Sequence, residues 1–380
     1  MVPDRRGLRR GTARLVAAVV AIRALIAGAP SAVAGGGGRL VPVVEGLNGP
    51  RGVGVGSGGR VVYAEADGSF SQVITKGRHA GSVEQLGTVP PQFLAPAVDV
   101  GRRGQVFVLT VGGEPGTGAA TLYRWTRAKG VETVADIEAY QQTDPDPYDL
   151  DQPPFPEESN PYGVAALPDG GALVADAANN DLLRVFPSGR IVTVARLKPR
   201  VVAVPEELPD KDPEGQPLPP AGTRLPSEAV ATSVTVGADG YYYVGELRGF
   251  PATPGTSQIW RIAPGSVNAV CDPEAPRKGA CRRYADGFTS IVDLGAGPDG
   301  SLYILELVKQ SWLQWELGLV DPPVGGLFLI RQRGRSPQEL VPDQLVLPGG
   351  VDVGKHGAVF VTGPIFGPPE GSPGVLARVR

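Results

Sequence analysis

Four carboxylates stand at one repeated offset in this 380-residue chain. Glu65, Asp176, Glu246 and Glu306 each lie six residues after a turn glycine: Gly59, Gly170, Gly240 and Gly300. Two further copies of the pattern, counted from Gly104 and Gly357, carry Thr110 and Gly363 there instead. Carboxylates grouped with amide and carbonyl oxygens suit a hard cation such as Ca²⁺. A cation so held polarises a lactone or ester carbonyl, or activates water. Asn160 and Asp293 complete this candidate metal set, with Asp99 and Asp352 further along neighbouring strands. The competing reading is that each carboxylate accepts backbone N–H bonds and fixes its own loop. Repetition favours that second reading, because a catalytic site seldom needs the same group in every repeat.

Other chemistries fit poorly. The two histidines, His79 and His356, lie outside the repeated strands and in a short turn, so no Ser–His–acid arrangement is in place. The glycine-rich "GVGVGSGG" runs on into "RVVYAEAD", a strand rather than the helix a phosphate loop needs. No catalytic residue is assigned.

The elements that carry these residues repeat. "RGVGVGSGGRVVYAEAD", "AVDVGRRGQVFVLTV", "YGVAALPDGGALVADAA", "SVTVGADGYYYVGEL", "IVDLGAGPDGSLYILEL" and "GVDVGKHGAVFVTGP" each read as strand, glycine turn, strand. Their turn glycines are spaced by 45, 66, 70, 60 and 57 residues. Third strands follow as "TLYRWT", "DLLRVF", "QIWRIA", "GLFLIR" and "VLARVR", and fourth strands as "GVETVADI", "GRIVTVARL" and "PQELVPDQL". The fold expected is all-β: a six-bladed β-propeller of four-stranded antiparallel blades. The chain ends on a third strand, and "RLVPVVEGL" near its start supplies the missing outer one, so both termini close one blade and remove open edges. Residues 40–380 then form a single domain.

Long irregular segments, at 112–120, 140–159, 198–229, 248–257 and 308–325, all fall in second-to-third or blade-to-blade connections, hence on one face. One decorated face on a rigid scaffold suits binding, although loops also simply tolerate insertion. Phe250, Trp312 and Trp315 are the candidate ligand-face residues. The two tryptophans, three apart, share one side of a short helix and serve either to pack it down or to stack against a ring.

Gly (54) and Pro (39) make about a quarter of the chain, which disfavours long helices. Residues 1–34 combine "RRGLRRGTAR", apolar "LVAAVVAI" and small residues before Ala34, the grammar of a signal peptide cleaved after Ala34. The longest charge-free apolar run there is too short for a stable membrane span. Six Arg and one Asp give this segment +5, so its loss takes the chain from −3 to −8. That charge argues against nucleic acid as partner. Cys271 and Cys281 in "CDPEAPRKGAC" suit a local disulfide in an exported protein.

"NPYGVAALPDGGALVADAANNDLLRV", "ATSVTVGADGYYYVGELRGFPATPGTSQIWRI" and "DGFTSIVDLGAGPDGSLYILEL" resemble the ScyD/ScyE family of exported bacterial propellers. "YYVGELRGFP" and "DGFTSIVDL" are the more specific marks, whereas "PDGGALVADAANNDLLRV" is shared with the broader NHL-type repeat. The resemblance implies a propeller and export, and brings no catalytic residue set. A more distant similarity is to calcium-dependent six-bladed lactonases of the gluconolactonase and SMP-30 type. For them Glu65, Asn160, Asp176 and Asp293 are loose analogues of an acidic and amide ligand set. The expected function is a secreted or cell-envelope propeller binding a small molecule or extracellular protein through its long-loop face. The alternative is a Ca²⁺-dependent lactone or ester hydrolase at the channel mouth.

Overall fold

A computed structural model describes residues 38–380, apart from 115, 332–335 and 368–370. The proposed signal peptide lies outside the described residues. Six four-stranded antiparallel units succeed one another along the chain. Blade I comprises Val53–Val55, Arg60–Ala64, Ser69–Ile74 and Val83–Thr88, and blade II Ala97–Val100, Val106–Leu109, Thr121–Thr126 and Gly130–Asp136. Blade III comprises Pro161–Ala166, Ala172–Asp176, Asp181–Val185 and Ile191–Leu197, and blade IV Ala231–Val236, Tyr242–Glu246, Ser257–Ile262 and Cys281–Phe288. Blade V has Ile291–Ala296, Leu302–Glu306, Gly326–Ile330 and the short Gln338–Glu339. Blade VI has Gly350–Val353, Val359–Gly363 and Gly374–Val379, and its outer strand is Leu40–Leu47 from the other end of the chain. Leu40 pairs with Val379 and Leu47 with Gly374, so the ring is closed by the two ends of the chain.

The six turn glycines all have positive φ, between 74° and 89°, where a Cβ would strain the hairpin. Second strands such as Ala172–Asp176, Tyr242–Glu246 and Val359–Gly363 are buried along their whole length, because each blade packs both faces against its neighbours. The core is therefore a series of layers between blades. Phe107, Leu122 and Leu183 fill the gap between blades II and III, and Leu173, Val244 and Trp260 that between III and IV. At the axis the inner strands crowd together: a methyl on Gly163 would meet Thr232 O at 2.8 Å.

Two features depart from a plain repeat. Ala269–Cys271 adds to blade III as a fifth strand, parallel to Ile191–Leu197. The Cys271–Cys281 disulfide then staples this added edge to the outer strand of blade IV. The last strand of blade V covers only two residues of the expected "PQELVPDQL", with one further backbone bond from Leu340 N to Leu327 O at 2.9 Å. Part of the proline-rich 198–229 segment forms a hairpin, Arg200–Ala203 against Arg224–Ser227. Among the described residues no helix is long and apolar enough to cross a membrane.

Candidate functional site at the channel mouth

The repeated acids sit where their second strands end, and three make the same bond. Glu65 Oε1 accepts from Asn48 N at 2.8 Å, Asp176 Oδ1 from Asn160 N at 2.8 Å, and Glu306 Oε1 from Thr289 N at 2.7 Å. Each donor belongs to the segment leading into the same blade's first strand, so the carboxylate ties the blade's entry to its second strand. Asp176 is buried and also accepts from Ser159 Oγ (2.7 Å), Gln141 Nε2 (3.2 Å), Ala178 N (3.2 Å) and Asn179 N (3.3 Å). Burial pushes its carboxyl up, and these donors pull it back. Glu246 faces the other way: it pairs with buried Arg248 and accepts from Trp260 Nε1 (2.6 Å) and Gln258 N (3.1 Å). Thr110 fills the equivalent place in blade II, its hydroxyl donating to Gly118 O at 2.7 Å and accepting from Thr121 N at 3.0 Å.

Asp293 lies apart from these, on the wall of the central channel with Asp99 and Asp352. Each of the three accepts one N–H from its own strand and one from the next blade. Asp99 holds Val100 N and Ala166 N, both at 2.6 Å; Asp293 holds Leu294 N (2.9 Å) and Val351 N (2.7 Å). Asp352 holds Val353 N and Val55 N, both at 2.6 Å. The three aspartates stitch inner strands together around the axis. Burial pushes Asp293 up to about 7 and Asp352 up to about 8, the latter with Asp99 adding repulsion. Arg51 crosses the same channel, donating from Nε to Ala95 O at 2.6 Å and from Nη1 to Tyr162 O at 2.7 Å. Its guanidinium lies 4.2 Å from the centre of the Tyr162 ring. Nothing in the repeat pattern singled out Arg51, although it stands immediately before the first inner strand.

Above Tyr162, at the long-loop end of the channel, a second, small cavity of about 40 Å³ opens. Its apolar walls include Leu94, Leu247, Leu307, Ile365, Phe366 and Trp315. Its polar groups are Asn160, Thr232 and Glu316. Apart from the first-strand residues Tyr162, Thr232 and Val292, every lining residue comes from a second-to-third loop or a blade-to-blade link. Asn160 spends its Oδ1 on Gly112 N at 3.0 Å, and Thr232 donates to Ile291 O at 2.6 Å. Burial alone pushes the Glu316 carboxyl up to about 8.

The helix Trp312–Glu316 supplies two of these residues. Ser311 caps it by accepting from Leu313 N at 3.2 Å. Its two tryptophans have different roles. Trp312 is buried and donates from Nε1 to Arg248 O at 2.8 Å, pinning the helix to blade IV. Trp315 is half-buried, stacks on Phe366 with ring centres 5.8 Å apart, and faces the cavity. Phe250 packs at the edge of the same apolar cluster without lining the cavity.

Of the metal candidates among the described residues, Asn160 lines the mouth cavity and Asp293 lines the channel below it with Asp99 and Asp352; Glu65, Asp176, Glu246 and Glu306 stay with their own blades. Among the described residues no group of three or more His, Cys, Asp or Glu side chains is placed to hold a metal. A second acidic group, at the long loops beside blade III, was not singled out from the sequence. There burial and mutual repulsion push Glu158 up to about 8, Asp151 to about 6 and Glu228 to about 7, although Leu150 N donates to Glu228 at 3.2 Å.

No family model matches the chain, and no curated protein matches it. Solved structures do. A glucose dehydrogenase is 12% identical, with 90% of this chain and 99% of that chain covered and a TM-score of 0.53. The PQQ-bound aldose sugar dehydrogenase of Streptomyces coelicolor is 14% identical over 90% of this chain and 98% of that one, with a TM-score of 0.50. XC5397 of Xanthomonas campestris, a gluconolactonase, is 11% identical over 90% and 89%, also with a TM-score of 0.50. At such identities the likeness is one of fold, which hosts lactonases and dehydrogenases alike. The ScyD/ScyE resemblance is not confirmed by these comparisons.

Proposed function

We propose that this chain is an exported propeller that binds a small, largely apolar ligand in the mouth cavity of its long-loop face. The observation that carries this reading is the cavity itself. It is walled by apolar and aromatic side chains, it collects a few polar groups, and loops of several blades build it on a rigid ring. The disulfide fits an oxidising compartment. A test is ligand-observed NMR with a set of small ring compounds, run against wild type and a cavity-filling Leu307→Trp variant of verified fold. Compounds that bind wild type should lose binding by at least tenfold in the variant. Equal binding to both proteins would remove the cavity as the site.

The Ca²⁺-dependent lactone or ester hydrolase is the second reading, and Asn160 at the cavity is the observation in its favour. With the acids spent on backbone N–H groups, calorimetric titration of chelator-treated protein with Ca²⁺ is expected to give no stoichiometric heat and no rise in Tm. Tight one-to-one uptake abolished by Asp176→Asn would restore this second reading.

A further inference from the structure

The reading of the mouth cavity as a ligand site leaves one of its groups without a purpose. Half-buried Glu316 contributes a carboxyl group to a lining whose other polar groups are Asn160 and Thr232, and its Oε2 is buried with no hydrogen-bond partner. No ion pair engages it among the described residues, and burial is the single cause of its raised pKa. The fully buried acids Asp176 and Glu246 are partnered: Asp176 has five donors within 3.3 Å, and Glu246 has an arginine, an indole and an amide. Burying an ionised carboxylate without a partner is costly. A group kept in that condition at the wall of a cavity lacks the partner a ligand would bring.

The surroundings narrow the chemistry of that partner. Among the described residues no Lys, Arg or His lines the cavity, so an anionic ligand would meet a carboxyl group and no counter-charge. Arg51 lies on the channel side of Tyr162 and is engaged with two backbone carbonyls. A neutral apolar ligand would fill the walls but leave Glu316 as it is. A cation on an apolar body satisfies both. Trp315, adjacent to Glu316 in the chain, offers the ring type best suited to attract such a charge, and Phe366 stacked behind it extends the aromatic wall. We propose that the mouth cavity binds an organic cation, an ammonium group on a small hydrocarbon or ring-bearing body, with Glu316 as its counter-ion and Trp315 as its aromatic wall.

The proposal makes binding release a proton, because Glu316 must ionise to pair with the ligand. Benzyltrimethylammonium, whose charge does not depend on pH, is the probe, and 2-phenylethanol is its neutral counterpart. Calorimetry in buffers of different ionisation heat should show the cation binding at least tenfold more tightly than the alcohol at pH 9. Its affinity should rise by about tenfold per pH unit between pH 6 and 8 and level off above. Glu316→Gln should abolish both the preference and the pH dependence, with Tm unchanged or higher because a partnerless acid is gone. The wild-type pH profile stands as a test even if that variant misfolds. Equal affinity for the two probes, with both excluded by Leu307→Trp, would overturn the cation assignment while leaving the cavity as the ligand site. Absence of saturable binding by either probe would overturn both.

Discussion

Replacing Glu246 by Gln should lower the stability of the fold by about 3–5 kcal/mol, because it strands the buried Arg248 guanidinium without its counter-charge. The guanidinium also donates to Ser227 O and Glu228 O, so it cannot swing out to water without abandoning those carbonyls. The backbone carbonyl of Arg248 is the acceptor for Trp312, so the disturbance should reach the helix that carries the mouth cavity. The double variant Glu246→Gln/Arg248→Met should recover much of the loss, since removing both charges avoids an unpaired one. Glu306→Gln should behave quite differently. That carboxyl is pushed up to about 8 by burial, and a Gln Oε1 can still accept from Thr289 N. Its cost should stay near or below about 1 kcal/mol. Urea unfolding midpoints measure all three. An unchanged midpoint for Glu246→Gln would refute the structural role given to that residue.

The second large effect is on pH. Asp293 and Asp352, at about 7 and about 8, lie above the ordinary aspartate value of 3.8 that they take in the unfolded chain. Between pH 4 and pH 8 the native state therefore holds protons that the unfolded chain has released, and stability falls as pH rises through that window. Each group contributes at most about 1.4 kcal/mol per pH unit, and screening within the channel makes that a ceiling. Glu158, Glu228, Glu306 and Glu316 are raised as well and act in the same direction. Acids held low by donors, such as Asp169 beside Arg184 and Asp239 beside Arg261, lose their contribution only below about pH 4. Maximum stability is thus expected near pH 4–6, with Tm falling by roughly 5–10 °C towards pH 9. Asp352→Asn should be less stable than wild type at pH 5 by about 1–3 kcal/mol, because its amide NH₂ cannot accept from one of the two backbone N–H groups. That difference should shrink or reverse at pH 9. Melts across pH 4–9 that show a flat profile, or the same slope in Asp352→Asn, would contradict the assignment.

The ring of blades was legible in the sequence because its causes are local. Six glycines at hairpin turns, alternating apolar strands and complementary chain ends each leave a mark within a few residues. The repeated acids were legible as equivalent positions, yet their partners were not. Glu65, Asp176 and Glu306 reach back to their own blade entry, whereas Glu246 found Arg248 two residues on. The parallel strand Ala269–Cys271 was hidden because it pairs with a blade other than the one its neighbours in sequence belong to. Trp312 and Trp315 looked interchangeable, and only the packing of the helix separates the anchor from the cavity wall. Glu316 carried no signal at all. Its isolation depends on Leu307, Ile365, Phe366 and the inner strands converging from different blades, and no spacing along one segment encodes that.

Crystals of the protein soaked with a panel of small ring compounds, some carrying an ammonium group, test most directly whether the mouth cavity is the binding site. The density expected is a ring bounded by Trp315, Leu307 and Tyr162, with any ammonium nitrogen within hydrogen-bond distance of Glu316 where it carries an N–H. Compounds gathered on the short-turn face or between blades, with the mouth cavity empty of them, would contradict the assignment.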